Sequence, residues 1–79
     1  MLEPLSEKAS TLRLGEYEHY KKKRYRVLGV ARSRHGHEEV VVYQALYDEK
    51  YIWTRTVDDF LVEVEVDSVT MPRFKFVGK

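Results

Sequence analysis

Glu38-Glu39-Val40-Val41-Val42-Tyr43-Gln44-Ala45-Leu46-Tyr47 is the stretch on which the fold turns. Val40 to Tyr43 and Tyr47 are strong β-formers. The run is apolar on both strand faces, which predicts a strand central in a sheet or bent inside a barrel. Val40 to Tyr43 is also the longest wholly apolar run, far short of the ~20 residues a membrane span needs.

Working outward toward the N-terminus, Arg34-His35-Gly36-His37 reads as a turn, with Gly36 supplying tolerance of positive φ. Before it, Arg24 to Ser33 predicts a longer strand. Tyr25, Val27, Gly29 and Ala31 fall on one face; Arg24, Arg26, Leu28, Val30 and Arg32 fall on the other. Lys21-Lys22-Lys23 is a second turn, and Glu16 to Tyr20 a short aromatic strand. Toward the C-terminus, Asp48-Glu49-Lys50 is a turn and Tyr51 to Arg55 a short strand. Val57 to Phe60 has the length of one 3-10 turn. Leu61 to Val66 alternates cleanly, Val62, Val64 and Val66 inward and Glu63 and Glu65 outward. Arg73 to Phe76 predicts a final strand pinned by two Phe rings, free to pair with a second copy.

Five or six short antiparallel strands at ~8–12-residue spacing define an all-β class, best matched by a small SH3-like barrel with one short 3-10 turn. An OB-fold is the second choice. Closure would remove the exposed edges of so small a sheet. Residues 1–14 read as an N-terminal arm, loose or a short docked helix, and 15–79 as the barrel domain.

The chain has 79 residues and no cysteine. It is one domain, without a disulfide framework, Cys-based zinc site or thiol nucleophile. Met1 to Pro4 shows no secretory signal, so a soluble cytoplasmic protein is expected. The net charge of +1 hides an asymmetry: +5 over residues 1–37 and −4 over residues 38–79. Such asymmetry marks either an anionic partner or basic strands paired beside acidic ones, and the second is the simpler expectation.

The stretch from Gly15 to Phe74 resembles the bacterial domain-of-unknown-function family 1653. The residues that carry it are Tyr17, His19-Tyr20-Lys21, Tyr25-x-Val27-Leu28-Gly29-Val30-Ala31-Arg32, Val41-Val42-Tyr43-Gln44-Ala45-Leu46-Tyr47, Trp53-x-Arg55, Phe60 and Pro72-Arg73-Phe74. The resemblance implies a stand-alone, mostly-β bacterial domain and brings no activity. Three positions depart from the family's pattern. Lys22 stands where glycine is usual, the turn at Asp48-Glu49-Lys50 lacks its glycine, and Thr56 replaces a proline. A turn needing positive φ would be strained at Lys22, which predicts a different turn type.

No catalytic template is met: no serine sits in a Gly-x-Ser-x-Gly elbow and the four glycines are scattered. His35-Gly36-His37 offers two imidazoles but no third ligand, so no metal or other cofactor is expected. The informative features are the aromatics, more than a core this small encloses, with tyrosine hydroxyls that need partners. Tyr17, His19, Tyr20, Lys21, Tyr47, Trp53 and Arg55 are the candidate binding residues. They predict a non-enzymatic module holding an extended peptide or an anionic ligand. A protein or peptide partner is favoured and the chain is expected to be a monomer or weak dimer. Two rival readings remain at this stage. Lys21 to Arg26, interleaved with Tyr20 and Tyr25, suits single-stranded nucleic acid. His19 with Arg55 and a carboxylate suits a small enzyme acting on a phosphate-containing substrate. The simpler expectation for Arg55 is an ion pair with Asp58 or Asp59.

Overall fold

The computed structural model describes residues 4–34 and 36–78. Met1 to Glu3, read above for a secretory signal, lie outside the described residues, as do His35 of the two-imidazole turn and Lys79. The elements are α1 (Glu7–Thr11), β1 (Gly15–His19), β2 (Arg24–Arg32), β3 (Glu39–Ala45), β4 (Ile52–Thr56), α2 (Val57–Phe60), β5 (Glu63–Val66), β6 (Val69–Pro72) and β7 (Phe74–Gly78). Five strands form one antiparallel sheet in the order β4-β3-β2-β1-β7; β5 and β6 form a separate hairpin.

The mostly-β, antiparallel class holds. Two parts of the expectation do not: seven strands form, and the sheet stays open instead of closing into a barrel. Between the edges β4 and β7 the chain runs through α2 and the hairpin, and α2 places Phe60 where closure would have sealed the core. Phe60 is 1% exposed and stacks on Phe74 at 4.3 Å and 7°. Tyr17 meets Phe60 and Phe76 edge-on, each at 5.3 Å. Val27, Val41, Tyr43, Val57 and Ala9 complete the buried cluster, with Leu12 and Val30 packed against it.

β3 is internal, paired to β2 and β4. Val41, Tyr43 and Ala45 are buried, whereas Val40 and Val42 on its other face are half-buried. Strand alternation fails once in β2. The register to β3 shifts between Val27 and Gly29, so Leu28 is the extra residue of a bulge and is exposed. Beyond the bulge the phase inverts. Val30, not Ala31, packs on the core.

The one-turn element after β4 is α-helical and not 3-10, because the Leu61 N–H donates to the Val57 carbonyl four residues back (3.0 Å). Thr56 caps it, accepting from the Asp59 N–H at 3.2 Å. That hydrogen bond gives the Thr56 hydroxyl a definite role. The turn at Lys22 is left-handed, with Lys22 itself at φ 72. Asp48 (φ 52) and Lys50 (φ 59) do likewise in the β3–β4 turn. These residues accept the conformation at a cost a glycine would not incur. The β5–β6 turn is Asp67-Ser68, both at positive φ, which matches the twist of a two-residue hairpin. β6 is absent from the sequence expectation. Val64 and Val66 are half-buried on the hairpin, while Val62 is exposed.

The two charge halves meet at Lys8–Asp58 (3.2 Å) and where Arg32 of β2 stands opposite Glu39 of β3 in the register. Glu16 holds Arg26 (2.9 Å) and Arg24 (3.7 Å), all within the basic half. No described helix is long and apolar enough to cross a membrane.

Candidate functional site

α1 and α2 cover only part of the inner sheet face. Toward the β1–β2 and β3–β4 turns that face is open, and side chains two residues apart on each strand line it. On β1, Tyr17 is followed by His19; on β4, Trp53 by Arg55. Tyr17 lies deep, between its partners Tyr25 and Phe76. His19 lies at the strand end, where cover is lost. Trp53 stands beside Tyr43 in the register, but β4 is an edge strand and its flank is open.

The rings form a connected strip. Centroid distances are 4.6 Å from Tyr20 to His19, 4.9 Å from His19 to Phe74, 6.2 Å from His19 to Tyr25 and 5.5 Å from Tyr25 to Tyr47. A hollow of about 250 Å³ joins Tyr47 to Tyr51 and Trp53. Tyr51 and Trp53 are the most open members, at 64% and 53% exposure. Cations rim the strip. Lys21 Nζ lies 5.8 Å from the Tyr20 ring, Lys23 Nζ 4.8 Å from Tyr47, and the Arg55 guanidinium carbon 5.7 Å from Phe74.

One carboxylate organises the charged end. Arg55 Nη1 donates to Asp59 Oδ2 (2.6 Å), and Arg73 Nη1 donates to Asp59 Oδ1 (3.0 Å). Arg55 Nε also donates to the Tyr43 hydroxyl (3.0 Å). The hydrogen bond from Arg55, then the charges of Arg55 and Arg73, hold the Asp59 carboxyl below its ordinary range. His19 Nδ1 accepts the Lys21 backbone N–H at 3.2 Å. A backbone N–H only donates, so Nδ1 is unprotonated and the neutral ring carries its proton on Nε2. Burial, then the charges of Arg55, Lys21 and Arg73, lower the imidazole pKa. The Tyr25 and Tyr47 hydroxyls bond each other directly. Burial and that bond push the Tyr25 hydroxyl well above its ordinary range, so it stays neutral.

Of the seven candidate residues, six come together: His19, Tyr20, Lys21, Tyr47, Trp53 and Arg55. Tyr17 does not join them. It is 5% exposed and its hydroxyl donates to the Arg13 carbonyl (2.7 Å), so it is a core residue with its polar atom satisfied. The Arg55 ion pair falls on Asp59, one of the two partners expected. Tyr25 and Lys23 were expected only on the nucleic-acid reading of Lys21 to Arg26. Arg73 was missed, since nothing near it in sequence signals that the hairpin returns it to Asp59. The basic run is split by the sheet. Tyr25 faces inward, while Arg24 and Arg26 face outward onto Glu16.

Two further hollows flank this face. One of about 350 Å³ lies by His19 and Tyr20, bounded by Lys22, Met71, Pro72 and others. A smaller acidic one, about 170 Å³, is lined by Glu39 and Asp58, which Ser6 and Lys8 already engage. The described residues contain no cluster of three metal-ligating side chains.

The fold and site together define a small, open-sheet, mostly-β domain carrying an aromatic strip rimmed by cations. The chain belongs to the DUF1653 family, described as a protein of unknown function, whose family model matches residues 15–76. The crystal structure of a DUF1653 protein from Bordetella bronchiseptica is similar. It is 36% identical, with a TM-score of 0.82, over 89% of this chain and 92% of that one. A search of curated proteins gives no match.

Proposed function

We propose that this domain is a non-enzymatic binding module whose open inner face holds an extended peptide bearing an anionic group. The observation that carries the reading is the continuity of the strip from Trp53 and Tyr51 through Tyr47 and Tyr25 to His19 and Tyr20. Rings exposed on one side and bonded on the other are what an extended chain packs against. Lys21, Lys23 and Arg55 favour an anionic group toward the His19 end, while Asp48 and Glu49 line the hollow at the Trp53 end.

Nucleic acid is served less well, since the splitting of Lys21 to Arg26 leaves no continuous basic groove. An enzyme would need His19, Arg55 and a carboxylate in one cleft, and Phe74 does bring them near one another. Asp59, however, is held ionised by two guanidinium groups, and no described Ser or Thr is bonded to His19. The cleft therefore lacks both a poised acid and an activated nucleophile.

Trp53 is the single tryptophan and reports on the strip directly. Selection from a random peptide library is expected to enrich acidic sequences that shift Trp53 fluorescence and fail on Trp53→Ala and Tyr47→Ala. Enrichment of nothing, alongside oligothymidine binding that weakens steeply with salt, would replace the peptide reading with the nucleic-acid one.

A further inference from the structure

We propose that the anionic group this face accepts is a single oxyanion, carboxylate or phosphate, held between the His19 Nε2–H and the Arg55–Arg73 guanidinium pair. The inference rests on the binding-module reading above and adds the group, its donors and a linked proton.

The donors are in place and unused. His19 is fixed by ring contacts to Tyr20, Phe74 and Tyr25 and by the Lys21 N–H on Nδ1. No described group bonds its Nε2–H. Arg55 spends Nε on Tyr43 and Nη1 on Asp59, which leaves Nη2. Arg73 spends Nη1 on Asp59, which leaves Nε and Nη2. Because Asp59 holds both guanidinium groups, their free edges are oriented before any ligand arrives, which lowers the entropic cost of binding. Guanidinium edges of this kind match the two oxygens of a carboxylate or phosphate.

The charge around His19 is unbalanced toward positive. Near it lie Lys21 from its own turn, Arg55 from β4, which shares the Phe74 ring with it, and Arg73 from the β6–β7 junction, whose backbone carbonyl accepts the Tyr20 N–H. Asp59 from α2 offsets one of the three. Tyr25 from β2 is neutral. Glu18, Lys22 and Lys75 border the adjoining hollow and add one further positive charge among them. A partly buried spot with that balance and three sets of free donors suits an anion. A bound anion also stabilises the imidazolium form. The added proton enters at Nδ1, where the Lys21 N–H must give way, and the anion offsets that loss, so His19 gains the proton more readily in the complex than in the free protein. By linkage, affinity strengthens as pH falls through the region between the free and bound pKa values of His19.

The test follows the ring protons of the histidines by NMR across a pH series in inorganic phosphate, in acetate and in chloride at equal ionic strength. His37, away from the strip, is the internal control. The expected result is saturable binding that raises the His19 midpoint by at least about half a unit and leaves His37 unmoved. Saturation by phosphate alone, or by acetate alone, identifies which oxyanion the site takes. Arg73→Lys, which keeps the charge but not the fork, should weaken the effect roughly tenfold. Arg55→Lys provides the same test if Arg73→Lys does not fold. A His19 midpoint that moves equally in all three salts overturns the proposal.

The two readings fail separately. Trp53→Ala should leave the phosphate effect intact while abolishing peptide binding. A peptide that binds through Trp53 without moving His19 overturns the oxyanion site alone. A saturable oxyanion effect with no peptide enriched overturns the peptide reading alone.

Discussion

The inner face of the sheet has two halves built from the same strands. Over one half, α1 and α2 lay Ala9, Val57 and Phe60 onto Val27 and Val41, and Val41 is 0% exposed. Over the other half no helix lies, and His19, Tyr25, Tyr47, Trp53 and Arg55 remain partly or largely open. Strand chemistry does not separate the halves, since β1 supplies Tyr17 to one and His19 to the other, and β2 supplies Val27 to one and Tyr25 to the other. What separates them is coverage. The uncovered half has aromatic residues with polar tips, whose apolar bodies pack on neighbours while hydroxyl, imidazole and indole groups reach solvent or one another.

The sharpest way to break this contrast is Phe60→Ala. Phe60 closes the covered half against Tyr17, Tyr43 and Phe74, and its loss should cost about 3–5 kcal/mol. Urea unfolding should show a midpoint collapse or no folded baseline; a shift as small as that of a surface substitution would mean that α2 does not seal the core. A smaller effect of opposite sign is expected at the open end. Lys22→Gly removes the left-handed strain of the β1–β2 turn and should stabilise by about 0.5–1 kcal/mol, glycine's extra unfolded-state entropy offsetting part of the gain. An unchanged or lowered midpoint would show that the turn relaxes without cost.

The pH dependence of stability probes the charged end more gently. His19 has a folded-state pKa below its unfolded value, so the unfolded chain binds its proton first and stability falls as pH drops below about 6.5. Asp59 also has a lowered folded pKa. Its contribution is present above the unfolded carboxylate range and is lost as pH falls through the folded value. His19→Gln should flatten the first loss and Asp59→Asn the second. Both effects are modest because the groups are partly solvated. Superimposable pH profiles for wild type and both variants would remove these residues from the account. Trp53→Ala should change stability least of all, since the ring is more than half exposed. A large destabilisation there would make Trp53 a core residue and erase the distinction between the halves.

How much was legible in the sequence differs element by element. The strands of the main sheet were readable from alternation and β-propensity, and β3 was correctly placed inside the sheet. The bulge at Leu28 was not readable, because one unpaired residue shifts the phase without altering the local pattern. β6 was missed because its turn, Asp67-Ser68, lacks the glycine that usually announces a two-residue hairpin. At Lys22 the chain takes the positive φ that a lysine there was expected to resist, because the register of β1 on β2 demands a tight turn. In the site, the spacing of Trp53 and Arg55 and the cluster His19-Tyr20-Lys21 were visible, while the burial of Tyr17 was not, because the rings that cover it, Phe60 and Phe76, lie far from it in sequence.

Composition and periodicity by themselves pointed to a mostly-β fold, stabilised by aromatic packing without disulfides. Those properties are local, being set by side-chain type and by which face of a strand each residue takes. Whether the sheet closed, which rings stayed open and which carboxylate held Arg55 together with Arg73 were settled only in three dimensions. The Arg55–Asp59 pair is local, four residues apart. The arrival of Arg73 at Asp59, the open sheet and the exposure of the rings depend on contacts between segments farther apart, above all on α2 filling the space between β4 and β7. Closing those long loops is worthwhile only when the whole core forms at once.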